Sequence, residues 1–226
     1  MSVELKTFGV IGSGTMGSGI AQVAARAGGI NVILCDVREE FLERAKNTIS
    51  ASLQRDVDKD RLSAEAKDEI MTRIKMVTDL NELREADFVV EAVTENLQIK
   101  TQIFSNLDSM LRPEVIIATN TSSISITKLA AATARPDRVI GMHFMNPVPV
   151  MKLVEIIRGL ATTNETFQYV KTLSEQLGKT PIEVNDAPGF VSNRILMPMI
   201  NEAVFALYEG VGTPEAIDEI MKLGMR

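Results

Sequence analysis

The sequence predicts an α/β fold, in which a doubly wound and mostly parallel sheet is followed by the start of an all-helical domain. Three observations indicate this fold class. Short β-rich segments alternate with amphipathic segments along most of the chain. Several of the short segments are apolar almost throughout, as in strands whose two faces are both covered. The alternation stops near Asp186. Strand–helix–strand alternation is typical of a parallel sheet with helices on both faces.

The predicted strands are short segments rich in β-branched and other apolar residues. They are Thr7–Ile11, Val32–Cys35, Ile74–Thr78, Phe88–Ala92, Val115–Thr119, Arg138–Met142 and Lys152–Ile157. Between them, apolar residues recur with the spacing of an amphipathic helix. The helices predicted from this spacing are Thr15–Ala27, Glu39–Arg55, Ala64–Ile74, Asn96–Leu111 and Asn164–Leu177.

The pattern becomes helical after Pro188 and Gly189. Two further helices are predicted there, Val191–Tyr208 and Pro214–Lys222, and Thr213 is well suited to cap the second. No strand is predicted after these residues. We therefore place a domain boundary at about 184–188 and predict two domains, residues 1–186 and residues 187–226.

The composition excludes several functional classes. The chain has 226 residues, of which 45% are hydrophobic and 24% charged, and its formal net charge is −6. This charge disfavours nucleic acid or an anionic membrane as a partner. Cys35 is the only cysteine, so neither an intrachain disulfide nor a cysteine-rich metal site can form. The start of the chain resembles a strand rather than a signal peptide, and no apolar run is long enough to span a bilayer. We expect a cytoplasmic protein without a metal site.

A glycine-rich turn follows the first predicted strand and opens the first predicted helix. The six residues Gly12-Ser13-Gly14-Thr15-Met16-Gly17 have the spacing G-x-G-x-x-G. In this motif the first glycine allows a tight turn, the second lets backbone approach a pyrophosphate, and the third allows close packing of helix and strand. The helix N-terminus then presents N–H groups to the phosphates. The motif alone would be weak evidence, because glycine-rich turns are also purely structural.

Asp36 makes a dinucleotide site the better interpretation, because it ends the second strand at the place where a carboxylate binds ribose hydroxyls. The sequence therefore predicts a Rossmann-type domain. A carboxylate at this position repels a 2′-phosphate, so NAD is favoured over NADP. Arg38 lies close enough to weaken this preference, although a solvent-exposed charge at a helix start is the simpler interpretation.

His143 is the only histidine of the chain and ends an apolar strand. Ligands bind at strand ends in α/β sheets, and a histidine has a suitable pKa for accepting a hydroxyl proton near neutral pH. Glu155 interrupts the apolar segment Leu153–Ile157 and shares a face with its two end residues. A carboxylate in such surroundings needs a partner, and we expect His143 to be that partner. The alternative is an edge-strand glutamate that faces water.

Three motifs resemble those of the short-chain 3-hydroxyacyl-CoA dehydrogenases, and among them most closely the bacterial 3-hydroxybutyryl-CoA dehydrogenases. They are NTSS at Asn120–Ser123, HFMNP at His143–Pro147 and PGFVSNR at Pro188–Arg194. The resemblance covers essentially the whole chain. It implies an NAD-dependent interconversion of 3-hydroxyacyl-CoA and 3-oxoacyl-CoA, and it implies a homodimer for the full-length family form.

The resemblance also implies roles for individual residues. His143 is the general base, Glu155 orients it, and Ser122 and Asn193 hydrogen-bond the acyl-CoA substrate. The residues implied beside the dinucleotide, in addition to the glycine-rich turn and Asp36, are Glu95, Lys100, Ser122 and Asn146. Each has a plain structural alternative. Ser122 could cap the next short helix, Asn193 could face water from the middle of a helix, and Glu95 and Lys100 could form an exposed helical pair.

The chain departs from the family in one respect, since residues 187–226 are fewer than the helical domain of the family contains. We therefore expect a C-terminally truncated member, with a partial domain for substrate binding and dimerisation. Two other functions stay open at this point. One is a different β-hydroxyacid dehydrogenase, although those enzymes generally use a lysine base. The other is a non-catalytic protein, either similar to λ-crystallin or a fragment that only binds the dinucleotide.

Overall fold

The computed structural model describes residues 5–225. Eight strands form one sheet in this part of the chain. They are β1 (Thr7–Ile11), β2 (Asn31–Cys35), β3 (Ile74–Val77), β4 (Phe88–Glu91), β5 (Ile116–Thr119), β6 (Val139–Phe144), β7 (Leu153–Arg158) and β8 (Thr180–Asn185). The helices are α1 (Thr15–Arg26), α2 (Glu39–Val57), α3 (Ala64–Thr72), α4 (Leu97–Met110), α5 (Ile126–Ala130), α6 (Asn164–Gln176), α7 (Ser192–Tyr208) and α8 (Pro214–Gly224).

The strand order is β3-β2-β1-β4-β5-β6-β7-β8. Every neighbouring pair is parallel except β6 and β7, which are antiparallel. From β1 the chain first builds outward through β2 and β3, and it then crosses to β4 on the other side of β1. Such a reversal leaves a crevice at the carboxyl ends of the two central strands, where ligands bind in doubly wound sheets. The predicted fold class is confirmed.

The core lies on the two faces of the sheet. Phe8 of β1 and Phe88 of β4 are fully buried, and their ring centroids lie 5.3 Å apart. Helix α1 is buried from Gly17 to Ala25 and consists largely of small residues there, which allows it to lie close to the central strands. This packing fixes the start of α1 directly behind the carboxyl end of β1.

Strand β8 was not predicted, and no bounds were predicted for the short helix α5. Strand β8 begins with Thr180-Pro181, and a proline argues against a strand unless the strand lies at the edge of a sheet, as β8 does. Helix α5 has only five residues, too few for a periodic pattern. Strand β6 also extends beyond the predicted end at Met142, because Phe144 still pairs with Val154 of β7. His143 consequently lies inside a strand.

The chain divides after Asp186 into two compact units. Within the second unit, α7 packs on α8, and both helices expose many large apolar side chains. Pro198 lies inside α7. Across residues 5–225, no helix has both the length and the apolar character needed to cross a membrane.

Candidate active site

A cavity of about 890 Å³ opens at the carboxyl end of the central strands. Its volume lies in the range of ligand sites. It extends from the glycine-rich turn, past the end of β2, to α2 and α4. Its lining includes Gly12, Ser13, Gly14, Thr15, Asp36, Val37, Phe41, Arg44, Ala92, Val93, Ile99 and Ile103.

The glycines of the turn are required for different reasons. Gly12 has a φ of +93°, and a Cβ there would lie 2.6 Å from the carbonyl oxygen of Ala92. A Cβ on Gly17 would overlap the carbonyl oxygen of Gly12. Gly14, in contrast, has no atom within 4 Å of its Cβ position and lines the cavity. Protein packing therefore explains Gly12 and Gly17, whereas Gly14 is left open toward a ligand.

Helix α1 begins at Thr15 without a side-chain cap. The N–H groups of the first turn of a helix lack intrahelical partners and favour anions. This turn, formed by Thr15, Met16 and Gly17, begins at the wall of the cavity. The arrangement fits the pyrophosphate of a dinucleotide.

Asp36 is held in a fixed orientation beside the turn. Its Oδ2 accepts hydrogen bonds from the N–H and the hydroxyl of Ser13, both at 2.7 Å, and its Oδ1 accepts one from the N–H of Val37 at 2.7 Å. The carboxylate lines the cavity at the end of β2, where it suits a ribose hydroxyl. Arg38 is exposed, pairs with Glu40 at 3.2 Å and lies over the ring of Phe41, which agrees with the simpler interpretation of a surface charge.

His143 and Glu155 face each other across the antiparallel pair of β6 and β7. Their side chains meet, with 2.8 Å between Nδ1 of His143 and Oε2 of Glu155. His143 is 8% exposed and Glu155 2%. The alternative of an edge-strand glutamate facing water is wrong, because β8 covers the other side of β7. Because an ionised carboxylate can only accept a hydrogen bond, this contact suits an imidazole whose proton is on Nδ1.

A buried ion pair lies at the carboxyl end of β4. Lys100 of α4 and Glu91 of β4 are fully buried, and Nζ lies 2.6 Å from Oε1. Glu91 also accepts hydrogen bonds from the Thr119 hydroxyl and the Val93 N–H. The interpretation of Lys100 as an exposed helical residue is therefore wrong. Glu91 was not predicted from the sequence, although it carries the same signal as Glu155, an acidic residue in an apolar strand.

Glu95 organises the loop that follows β5. Its Oε1 accepts hydrogen bonds from the N–H groups of Ser122 and Ser123, at 2.9 and 3.0 Å, and from the hydroxyl of Thr121. Partial burial acts to raise the pKa of Glu95, but the hydrogen bond from Thr121 and the charge of Lys100, 3.5 Å away, outweigh burial and hold the pKa below its ordinary value.

Ser122 is thus held by Glu95 and does not cap the short helix α5. That role belongs to Ser125, whose side chain accepts a hydrogen bond from the N–H of Lys128. The same loop is tied to β6, because Asn120 Oδ1 accepts a hydrogen bond from the Phe144 N–H at 2.9 Å. The structure therefore brings the loop of Ser122 next to the end of the strand that carries His143.

Two predicted site residues remain, Asn146 and Asn193. Asn146 is exposed, two residues beyond the end of β6. Asn193 is the second residue of α7 and is half-buried, so the alternative that placed it in the middle of a helix is wrong. Asn193 belongs to the second compact unit, and its contact with a substrate stays a prediction.

Residues 7–187 match the family model of the 3-hydroxyacyl-CoA dehydrogenase NAD-binding domain, and residues 189–226 match that of the C-terminal domain. The chain belongs to the 3-hydroxyacyl-CoA dehydrogenase family. NAD is accordingly its cofactor, and the open position at Gly14, the uncapped start of α1 and the fixed carboxylate of Asp36 fit it.

The relatives agree with this membership. The chain is 54% identical to a probable 3-hydroxybutyryl-CoA dehydrogenase of Bacillus subtilis, over 99% of this chain and 77% of that protein. It is 51% identical to the 3-hydroxybutyryl-CoA dehydrogenase of Bradyrhizobium diazoefficiens, over 99% and 76%. The crystal structure of (S)-3-hydroxybutyryl-CoA dehydrogenase from Ralstonia eutropha superimposes with a TM-score of 0.95 at 51% identity, covering 98% of this chain and 78% of that one.

Proposed function

We propose that this chain catalyses the NAD-dependent oxidoreduction of a 3-hydroxyacyl-CoA, with 3-hydroxybutyryl-CoA and acetoacetyl-CoA as the substrate pair. The observation that carries the proposal is the buried pair of His143 and Glu155. It lies at the same edge of the sheet as the glycine-rich turn, because β6 runs parallel to the strands of the dinucleotide crevice. The names of the relatives support the four-carbon substrate.

In this proposal His143 is the general base and acid. The Nε2 atom takes the proton of the 3-hydroxyl group during oxidation, and the imidazolium returns a proton to the 3-oxo group during reduction. Glu155 accepts the hydrogen bond from Nδ1 and stabilises the imidazolium. Bound NAD supplies the acceptor or donor of the hydride.

Other residues bind and orient the two reactants. Asp36 accepts a hydrogen bond from the adenosine ribose, and the start of α1 holds the pyrophosphate. Ser122 and Asn193 hydrogen-bond the substrate. The proposal also places four residues beside the dinucleotide, namely Glu95, Lys100, Ser122 and Asn146.

The two domains divide this work in the proposal. Residues 1–186 bind NAD and carry the proton-transfer pair, His143 and Glu155. Residues 187–226 belong to the helical domain that contributes to acyl-CoA binding and to a homodimer. The match of this region to the C-terminal family model supports the assignment.

The decisive test is NADH oxidation, followed by absorbance, with acetoacetyl-CoA as substrate and free acetoacetate as the control. We expect oxidation with the thioester and little with the free acid. Equal rates with both substrates would favour a dehydrogenase of free β-hydroxyacids. Tight NADH binding without oxidation of NADH would favour a protein that only binds the dinucleotide.

A further inference from the structure

A buried lysine, Lys179, binds the loop that joins β6 and β7, the two strands that carry His143 and Glu155. Lys179 follows α6 and immediately precedes β8, and it is 9% exposed. Its Nζ donates hydrogen bonds to the main-chain carbonyls of Val148 and Met151, the latter at 2.9 Å. Both carbonyls belong to residues 145–152, the loop between β6 and β7.

The charge of Lys179 has no counter-ion in the described residues 5–225, where its hydrogen-bond partners are main-chain carbonyls. Burial lowers its pKa. A buried ammonium without a counter-ion is unfavourable unless it is hydrogen-bonded. Here the hydrogen bonds go to two loop carbonyls that lie outside the strand ladder.

The main chain of Lys179 is itself anchored. Its N–H donates to the carbonyl of Ser174 in α6 at 2.9 Å, and the next residue, Thr180, donates to the carbonyl of Lys152 at 2.8 Å. The side chain of Lys179 therefore reaches the loop from a segment of main chain that is hydrogen-bonded on both sides.

The same loop packs against α1, the helix that begins in the glycine-rich turn and is called the dinucleotide-binding helix below. Val148 is buried, and a Cβ on Gly19 of α1 would lie 2.8 Å from the Cβ of Val148. Gly19 thus allows the loop to approach α1 closely. Held by Lys179 on one side and by α1 on the other, this loop contains Asn146 and connects β6, which carries His143, to β7, which carries Glu155.

We infer that Lys179 is a positioning residue for the proposed reaction: by binding the carbonyls of Val148 and Met151, it aligns the strand end carrying His143 with the dinucleotide-binding helix. The inference rests on the proposed function. Displacements of about 1 Å in an active site can lower a rate as much as about 100-fold, so a side chain that fixes this loop affects catalysis without touching a reactant.

The test compares Lys179→Met, which removes the donors and keeps the length of the side chain, with Lys152→Met as a matched control. Lys152 is exposed in the same loop. We expect kcat for acetoacetyl-CoA reduction to fall about 10- to 100-fold in Lys179→Met, with smaller changes in the KM values, and to stay unchanged in the control. Gly19→Ala should also lower kcat, because the added Cβ would contact Val148 on the side of the loop that faces α1.

A second measurement does not depend on activity. His143 is the only histidine, so a single set of imidazole resonances reports its environment and its pKa. Lys179→Met and Gly19→Ala should shift these resonances, whereas Lys152→Met should not. If the His143 resonances of Lys179→Met are unshifted, the inference is overturned, whether or not the variant keeps the wild-type kcat. A lower melting temperature of Lys179→Met without a shift of these resonances would indicate a merely structural role. If the unmodified chain does not reduce acetoacetyl-CoA, the proposed function fails, but the resonances still decide the role of Lys179.

Discussion

The glycine-rich turn and the proton-transfer pair are built in different ways. The turn consists of six consecutive residues, Gly12 to Gly17, and the geometry follows from the backbone of one strand end and one helix start. The pair of His143 and Glu155 joins two strands, and its geometry follows from the antiparallel register of β6 and β7.

This comparison indicates how each region should respond to substitution. In the turn, the shape of the backbone binds the ligand, so added atoms matter more than lost functional groups. In the pair, the side chains carry the chemistry, so loss of one functional group should be severe even if the backbone stays in place. The predictions below test this distinction, beginning with the largest effect.

Replacement of the imidazole should have the largest effect. In His143→Ala, we expect kcat for acetoacetyl-CoA reduction to fall about 10²- to 10⁴-fold, the usual contribution of a general acid or base. NADH affinity, measured by fluorescence titration, should change little, because the Asp36 end of the cavity is intact. A variant with near-normal kcat would assign proton transfer to another group.

Loss of the carboxylate charge should have a smaller effect. We expect Glu155→Gln to lower kcat about 10²-fold, because a neutral amide stabilises the imidazolium less well. The double variant with His143→Ala should lose far less than the product of the single losses, since residues that act together are not additive. Wild-type kcat across the pH range in Glu155→Gln would show that Glu155 does not orient His143.

In the turn, two glycine variants should separate folding from binding. Gly17→Ala forces a Cβ onto the carbonyl oxygen of Gly12 and should lower the free energy of unfolding by about 1–3 kcal/mol, along with NADH affinity. Gly14→Ala meets no protein atom, so stability should stay within about 0.5 kcal/mol. Its NADH affinity should nevertheless fall about tenfold.

Chemical denaturation and NADH titration of both variants provide the measurements. A Gly14→Ala protein that binds NADH normally would mean that the dinucleotide does not approach the turn at this position.

The smallest effect is expected at Asp36. One of its oxygens already accepts two hydrogen bonds and the other accepts one, so a ribose hydroxyl adds a single further interaction. Asp36→Ala should narrow the preference for NADH over NADPH about 2- to 10-fold, as expected for a net hydrogen-bond contribution of about 0.5–1.5 kcal/mol. Titration of both cofactors checks this, and equal affinities in the unmodified chain would contradict the preference itself.

Local patterns predicted much of the fold. The apolar strands, the helix spacing and the glycine-rich turn with Asp36 are each encoded in a few neighbouring residues. Strand β8 was missed because Pro181 is acceptable only at a sheet edge, and its edge position depends on the whole strand order. The contact of Lys179 with Val148 joins residues far apart in the chain and leaves no local pattern.

By itself, the sequence determined the fold class, the dinucleotide turn and the identity of the polar residues that interrupt apolar strands, because helix and strand periodicities and turn preferences are local. The sequence also predicted that Glu155 meets His143, and the register of β6 and β7 brings the two side chains together. Only the tertiary structure paired Glu91 with Lys100 and Lys179 with the loop carbonyls. The physical reason is that a buried polar group must find a partner, and strand order and register determine which group lies within reach.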